Sequence, residues 1–194
     1  IHLYQSNPDG TAIELLYGAQ SHDTGTNNSA IEFVKAREMP SGNILVLVRP
    51  RAGDDFGGNL YLIDTGTYVE NTQPTLANVG LTGPAQRPAT GNDVRTVPGI
   101  SPGGRFHDAF PLWDGTNRIV VSWAQCRATL NGQDRPCTDD VVNDPAALPA
   151  PPQYSLWMYD LSAQAFLPLM TPEVGRMITD VVIAQPRTPP AVIL

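Results

Sequence analysis

The stretch GRFHDAFPLWDGTNRIVVSWAQC, residues 104–126, decides how this chain is read. A mixed strand-like run, RFHDAF, leads to an Asp-Gly turn at Asp114-Gly115, and a strongly apolar run, IVVSW, follows. Asp-Gly marks a hairpin because the turn demands φ values that Gly, Asn and Asp adopt at little cost. The run after it lacks polar alternation, which is the pattern of a strand buried on both faces.

The same design occurs at IEFVKAREMPSGNILVLVRP (31–50), with Ser-Gly as the turn and ILVLV as the buried strand. It starts once more at MITDVVIAQPRTPP (177–190), where Ile178 through Arg187 repeats the apolar-polar-apolar rhythm of Ile31 through Arg37. Between these units lies a second design: an aromatic-bearing apolar strand, an Asp or Asn, a short polar turn and another apolar strand. It is found at LYQSNPDGTAIELLYG (3–18), NLYLIDTGTYVENTQP (59–74) and SLWMYDLSAQAFLPLM (155–170). The chain therefore alternates outer and inner hairpins. Repeated radially, that alternation builds the four-stranded meander of a β-propeller blade.

From Phe33 to Ala109 to Val181 the step is roughly 72 to 76 residues, longer than a compact blade requires. Two insertions account for the excess, one near 74–105 and one near 127–153, both read as surface decoration. The expected fold is all-β, a partial β-propeller of about two and a half four-stranded antiparallel blades within a single segment, 1–194.

Composition agrees with many short strands. Hydrophobic residues make up 41% and charged residues 16%, with 17 Gly and 19 Pro. Net charge is −7, and the 12 basic residues include one lysine, Lys35, so neither nucleic acid nor an anionic membrane surface is an expected partner. No apolar run approaches the length that spans a bilayer, and the start at Ile1 suggests a processed chain or a piece of a longer one.

LYQSNPDGTAIELL (3–16) resembles the short propeller repeat of TolB-type proteins, whose signature is an apolar-aromatic strand, Asn-x-Asp-Gly and a Leu-ending strand. The order of REMPSGNILVLVRP, GGNLYLIDT, GGRFHDAFPLWDGTNRIVVSW, YSLWMYDLSAQAFLPLM and DVVIAQPRTPP resembles bacterial proteins related to the alpha subunit of hydrazine synthase, around its propeller and middle domain. This resemblance covers most of residues 3–190 and implies an exported, periplasmic or extracellular location. The best-studied member of that family attaches haem through Cys-x-x-Cys-His, and here Cys126 is followed by Arg127-Ala128-Thr129 and Cys137 by Thr138-Asp139-Asp140. Haem is accordingly expected only in other parts of a parent protein, with no cofactor in this segment.

The two cysteines are better read as a staple. Asn131-Gly132 is a two-residue hairpin signal, and Cys126 and Cys137 stand symmetrically about it, which places them opposite each other at a separation a disulfide accepts. Arg127 then faces Pro136 in a non-hydrogen-bonded pair, where a missing N–H is tolerated at a sheet edge. A tetrahedral metal site would need more donors at short spacing, and His2, His22 and His107 are far away in sequence.

His22-Asp23 and Arg105, His107 and Asp108 are the candidate binding residues, because inner strands and inter-blade loops of a propeller face its channel or mouth. No Gly-x-Ser-x-Gly elbow provides Ser21, Ser101 or Ser122 with a nucleophile's setting, so no catalytic residue is assigned. Asp9-Gly10, Asp54-Asp55, Asp114-Gly115 and Asp139-Asp140 lack the spacing of a calcium loop. Trp113, Trp123 and Trp157 fall in strand patterns and are expected to pack between sheets. The expected function is a non-catalytic scaffold or interaction segment whose partners are further blades or another protein chain. The alternative is a hydrolase or oxidoreductase with its site at the propeller mouth.

Overall fold

The computed structural model describes residues 2–51 and 57–185, so the Asp54-Asp55 turn and the Pro189-Pro190 end of the last motif lie outside the described residues. The strands are β1 (Leu3–Gln5), β2 (Glu14–Tyr17), β3 (Ile31–Glu38), β4 (Ile44–Pro50), β5 (Asn59–Ile63), β6 (Tyr68–Glu70), β7 (Gln73–Pro74) and β8 (Gln86–Pro88). They continue with β9 (Arg105–Pro111), β10 (Arg118–Ala124), β11 (Arg127–Leu130), β12 (Gln133–Pro136), β13 (Leu148–Pro149), β14 (Ser155–Asp160) and β15 (Ala165–Pro168). Among the described residues the one α-helical turn, α1, is Asp139–Val142. The fold is thus all-β and antiparallel, in separate sheets of two to four strands, none closed on itself.

Two four-stranded sheets dominate, in the orders β3-β4-β5-β8 and β9-β10-β14-β15. The runs read as doubly buried strands, β4 and β10, are central in them, and their alternate residues serve two cores. Leu45 and Leu47 of β4 meet Phe106, Ile119, Val121, Trp157 and Tyr159 of the second sheet. Val46 and Val48 turn the other way, towards Leu3, Tyr17 and Phe33 under the β1-β2 hairpin. Val120 of β10 likewise faces Val181 and Ile183 on the far side of the second sheet. The layers therefore run from the β1-β2 hairpin through the first and second sheets to the segment around 178–183.

Four expected hairpins form: β1-β2, β3-β4, β9-β10 and β14-β15. The 59–74 motif behaves differently. β6 pairs with β7, and the strand that follows β5 in the sheet, on the side away from β4, is β8, which lies inside the 74–105 insertion. Asn71 explains the detour: its carbonyl accepts the Ala85 N–H at 2.8 Å and its side chain accepts the Gln86 N–H at 3.1 Å, which delivers the later segment to the sheet edge. The 127–153 insertion forms its own sheet, β12-β11-β13. The segment 177–185 makes no ladder and is docked mainly by side-chain hydrogen bonds instead.

Cys126 and Cys137 are disulfide-bonded with their Cα atoms 5.4 Å apart. The register is the one the turn demands, Leu130 against Gln133 and Arg127 against Pro136, and the Cys137 N–H donates to the Cys126 carbonyl. Asn131 and Gly132 have φ of 53° and 73°, the left-handed pair that a tight hairpin loop needs. Trp123 stacks on Phe166 with ring centroids 4.1 Å apart and meets Trp157 edge-on at 5.2 Å. Trp113 departs from the packing expectation: it lies in the turn just past β9 and is 51% exposed.

Candidate functional site

The site begins with two bulges. On β3 the pairing moves from Val34 opposite Leu47 to Arg37 opposite Leu45, so Lys35 and Ala36 together face one residue, Val46. Lys35 adopts φ of 54°, a left-handed conformation unusual for a residue with a long side chain. On β9 the pairing moves from Phe106 opposite Trp123 to Asp108 opposite Ser122, which makes His107 the extra residue. A bulge twists a strand and re-aims its side chain. Both bulges turn towards the seam where β3, β9 and the segment 178–181 meet.

The contacts there keep a constant step. The Lys35 ammonium lies 3.2 Å from His107 Nδ1, 72 residues on, and His107 Nδ1 lies 2.5 Å from the Thr179 carbonyl, another 72 on. Arg37 Nε donates to the Ala109 carbonyl at 2.9 Å, again 72 residues away. An imidazole nitrogen cannot both donate and accept, so the shorter contact assigns the proton: Nδ1–H donates to Thr179. Lys35 then donates to the Thr179 carbonyl at 3.2 Å and to Asp180 at 2.7 Å.

Asp108 is the anchor of the seam, with 1% of its surface exposed. One carboxylate oxygen accepts the Ala109 N–H at 2.9 Å, and the other accepts the Val181 N–H at 2.8 Å. Arg37 Nη2 reaches both oxygens at 3.3 and 3.2 Å, while its guanidinium carbon lies 4.7 Å from the centre of the Phe110 ring. Ser122, fully buried, donates to the Ile178 carbonyl. A buried carboxylate is tolerable in such company because a cation and backbone donors replace its water.

Burial pushes the His107 pKa down, and the neighbouring Lys35 charge adds to that, against the opposing pull of the Thr179 hydrogen bond and the two carboxylates. The hydrogen bond from Lys35 holds the Asp180 carboxyl below its ordinary value. At neutral pH the seam therefore holds a neutral imidazole, two cations and two carboxylates. Its charges are matched within it, and the His107 nitrogen nearest the ammonium is occupied. This arrangement fastens three chain segments together.

The other candidate residues go elsewhere. His22 and Asp23 lie between β2 and β3, with His22 Nε2 3.6 Å from Asp23 and Nδ1 buried without a partner among the described residues. Beside them Ser21 donates to Glu70 and accepts the Asn71 N–H at 2.8 Å, so this polar group ties the first hairpin to β6. Arg105 turns from the seam to donate to the carbonyls of Val97 and Gly99, both at 3.0 Å. His107 and Asp108 are thus brought together, while His22, Asp23 and Arg105 are placed apart from them. Lys35, Arg37, Thr179 and Asp180 join the site without having been candidates; the 72-residue step from Lys35 to His107 to Thr179 is the signal that could have found them.

Among the described residues no group of three or more His, Cys, Asp or Glu is arranged to hold a metal ion, and no helix is long and apolar enough to cross a membrane. The carboxylates of Asp9 and Asp114 accept from the N–H and hydroxyl of Thr11 and Thr116, which holds both below the usual carboxyl range and accounts for them as turn residues. No family model, no curated protein and no solved structure matches the chain.

Proposed function

We propose that this chain is a β-propeller segment of an exported bacterial protein, serving as scaffold and interaction surface, with the seam at Lys35, His107 and Thr179 as the joint between successive blades. The observation that carries this reading is the spacing. Contacts between successive segments of the seam recur at 72 residues, Lys35 with His107, Arg37 with Ala109 and His107 with Thr179, which is the kind of spacing a radial repeat gives. The two four-stranded meanders correspond to two blades, the β1-β2 hairpin to the outer half of a preceding one and residues 178–183 to the inner edge of a following one.

The disulfide supports an oxidising compartment, periplasmic or extracellular. The resemblance to proteins related to the hydrazine synthase alpha subunit fits the same location. Haem chemistry belongs to neighbouring domains in this reading, since neither cysteine begins a haem-attachment pattern and the two are joined to each other. Further blades, from the same polypeptide or from another chain, complete the ring.

Electron-microscopic class averages of the intact protein that carries this chain test the proposal. A ring of radially arranged blades with an axial channel is the expected view. A stacked sandwich without a channel would sink the propeller reading, and turnover that disappears in Lys35→Met while the fold persists would sink the non-catalytic one.

A further inference from the structure

Away from the seam, the tip of the disulfide hairpin carries a chemical group of its own. Asn131-Gly132 is the single Asn-Gly pair of the chain, and both residues are exposed. In such a pair the glycine nitrogen is within reach of the asparagine amide carbon, and no Cβ on the glycine shields it. A Cβ built on Gly132 would meet nothing within 4 Å, so the tip stands in open space.

Backbone geometry opposes the attack. Asn131 has φ of 53°, and a residue in this left-handed conformation has ψ near about +45°. The cyclic imide that the attack closes needs Cβ and the following nitrogen on the same side of the Cα–C bond. A left-handed ψ puts them on opposite sides, so Asn131 reacts only after the turn has opened. Opening is governed by the strands below the tip. β11 and β12 pair from Leu130 opposite Gln133 to Arg127 opposite Pro136, and the Cys126–Cys137 disulfide closes the far end. Asp134 laces the middle: it accepts the Thr129 hydroxyl at 2.6 Å and lies 3.2 Å from the Arg127 guanidinium. A short hairpin is marginal without such support, and the staple restricts what it reaches when it opens.

We propose that Asn131 is a self-modification site gated by the disulfide: while the staple is closed the turn protects the amide, and loss of the staple lets it deamidate. A dithiol removes the staple by giving up two electrons and becoming a disulfide itself, which leaves Cys126 and Cys137 as thiols. The Gly132 nitrogen then bonds to Asn131 Cγ and releases its proton, the Cγ–Nδ2 bond breaks, and ammonia leaves. Water adds to either carbonyl of the imide and opens it, giving an aspartyl or an isoaspartyl linkage with a new carboxylate. The isoaspartyl form also lengthens the main chain by one methylene. Loop length sets hairpin register, so the lengthened turn no longer places the two cysteines opposite each other. A passing reduction thereby leaves a lasting mark. The inference rests on the hairpin alone; a failed ring in the microscope leaves it standing, and the reverse also holds.

Peptide mass spectrometry of the full chain during incubation in mildly alkaline buffer tests it, by following the exchange of amide for acid at position 131. Deamidation should be slowest in the native chain and at least about tenfold faster in Cys126→Ser with Cys137→Ser. In urea, where every turn is open, it should be faster still. Asp134→Ala keeps the disulfide and removes the lacing, so it should speed the reaction about two- to fivefold, and it decides the matter if the double serine variant does not fold. Hydrogen exchange in β10 should stay slow in Asp134→Ala, which separates opening of the hairpin from unfolding of the core. A native chain that deamidates as fast as the chain in urea, native rates in both variants, or no product at position 131 even in urea would each overturn the proposal.

Discussion

His107 is the residue whose ionisation the seam controls most directly. Its Nδ1–H is committed to the Thr179 carbonyl, and the Lys35 ammonium stands 3.2 Å away, so adding a second positive charge to the ring is opposed by burial and then by that neighbour. The folded-state pKa lies below the unfolded value of about 6.5. A lowered value means that the unfolded chain takes up the proton first. The stability it contributes is complete above about 6.5 and is lost as the pH falls from there through the folded value. An NMR titration should give His107 a midpoint below that of a model imidazole, and Lys35→Met should raise it; a midpoint at or above about 6.5 would contradict the assignment. Asp108 makes the stronger demand on the fold. Asp108→Ala removes the acceptor of the Val181 N–H and leaves the Arg37 guanidinium without its carboxylate, so urea unfolding should show a loss of about 3 kcal/mol. A loss below about 1 kcal/mol would mean that water replaces the carboxylate without difficulty.

At the scale of elements, the parts legible in the sequence are those whose signal is local. Asp114-Gly115, the Ser41-Gly42 turn and Asn131-Gly132 each announce their hairpins, and the symmetry of Cys126 and Cys137 about the last is reproduced strand for strand. What was hidden is long-range or one residue wide. β8 is three residues long and ends in Pro88, so nothing in its composition marks it as the partner of β5, which the intervening β6-β7 ribbon separates from it. A bulge shifts the alternation by a single position, and in RFHDAF that is enough to send His107 and Asp108 to the seam while Phe106 goes to the core. His107 and Asp108 were readable as candidates, whereas nothing local in the sequence set Lys35 and Arg37 apart, because the bulge that turns them to the seam is one residue wide. The disulfide hairpin has a separable consequence. Cys126→Ser with Cys137→Ser should cost about 3 kcal/mol on the chain-entropy model. Because β11 pairs only within its own sheet, hydrogen exchange should quicken in 126–137 and 148–150 before it does in β10. Uniform quickening across both large sheets would show that the staple is part of the global core.

For the whole molecule, the central fact is that one core joins the two large sheets. Phe106, with no exposed surface, meets the first sheet's Leu45, Leu47 and Leu60, and the Gly58 and Phe106 backbones exchange two hydrogen bonds of 2.8 Å across the interface. The sheets should therefore unfold as one cooperative unit. Phe106→Ala is expected to lower its stability by about 4 kcal/mol while keeping a single transition. The two ends of the stack are different, because each leaves apolar side chains uncovered. Tyr4, Ile13 and Leu15 are 60%, 71% and 48% exposed on the first hairpin, and Val174 and Val182 are 90% and 79% exposed at the other end. Such surface favours association. Sedimentation velocity of the isolated chain should show concentration-dependent self-association, and Ile13→Lys combined with Val182→Lys should abolish it without altering the unfolding midpoint by more than about 0.5 kcal/mol. A chain that stays monomeric at all concentrations would show that these ends are stable as they stand, and it would remove the strongest structural reason for further blades.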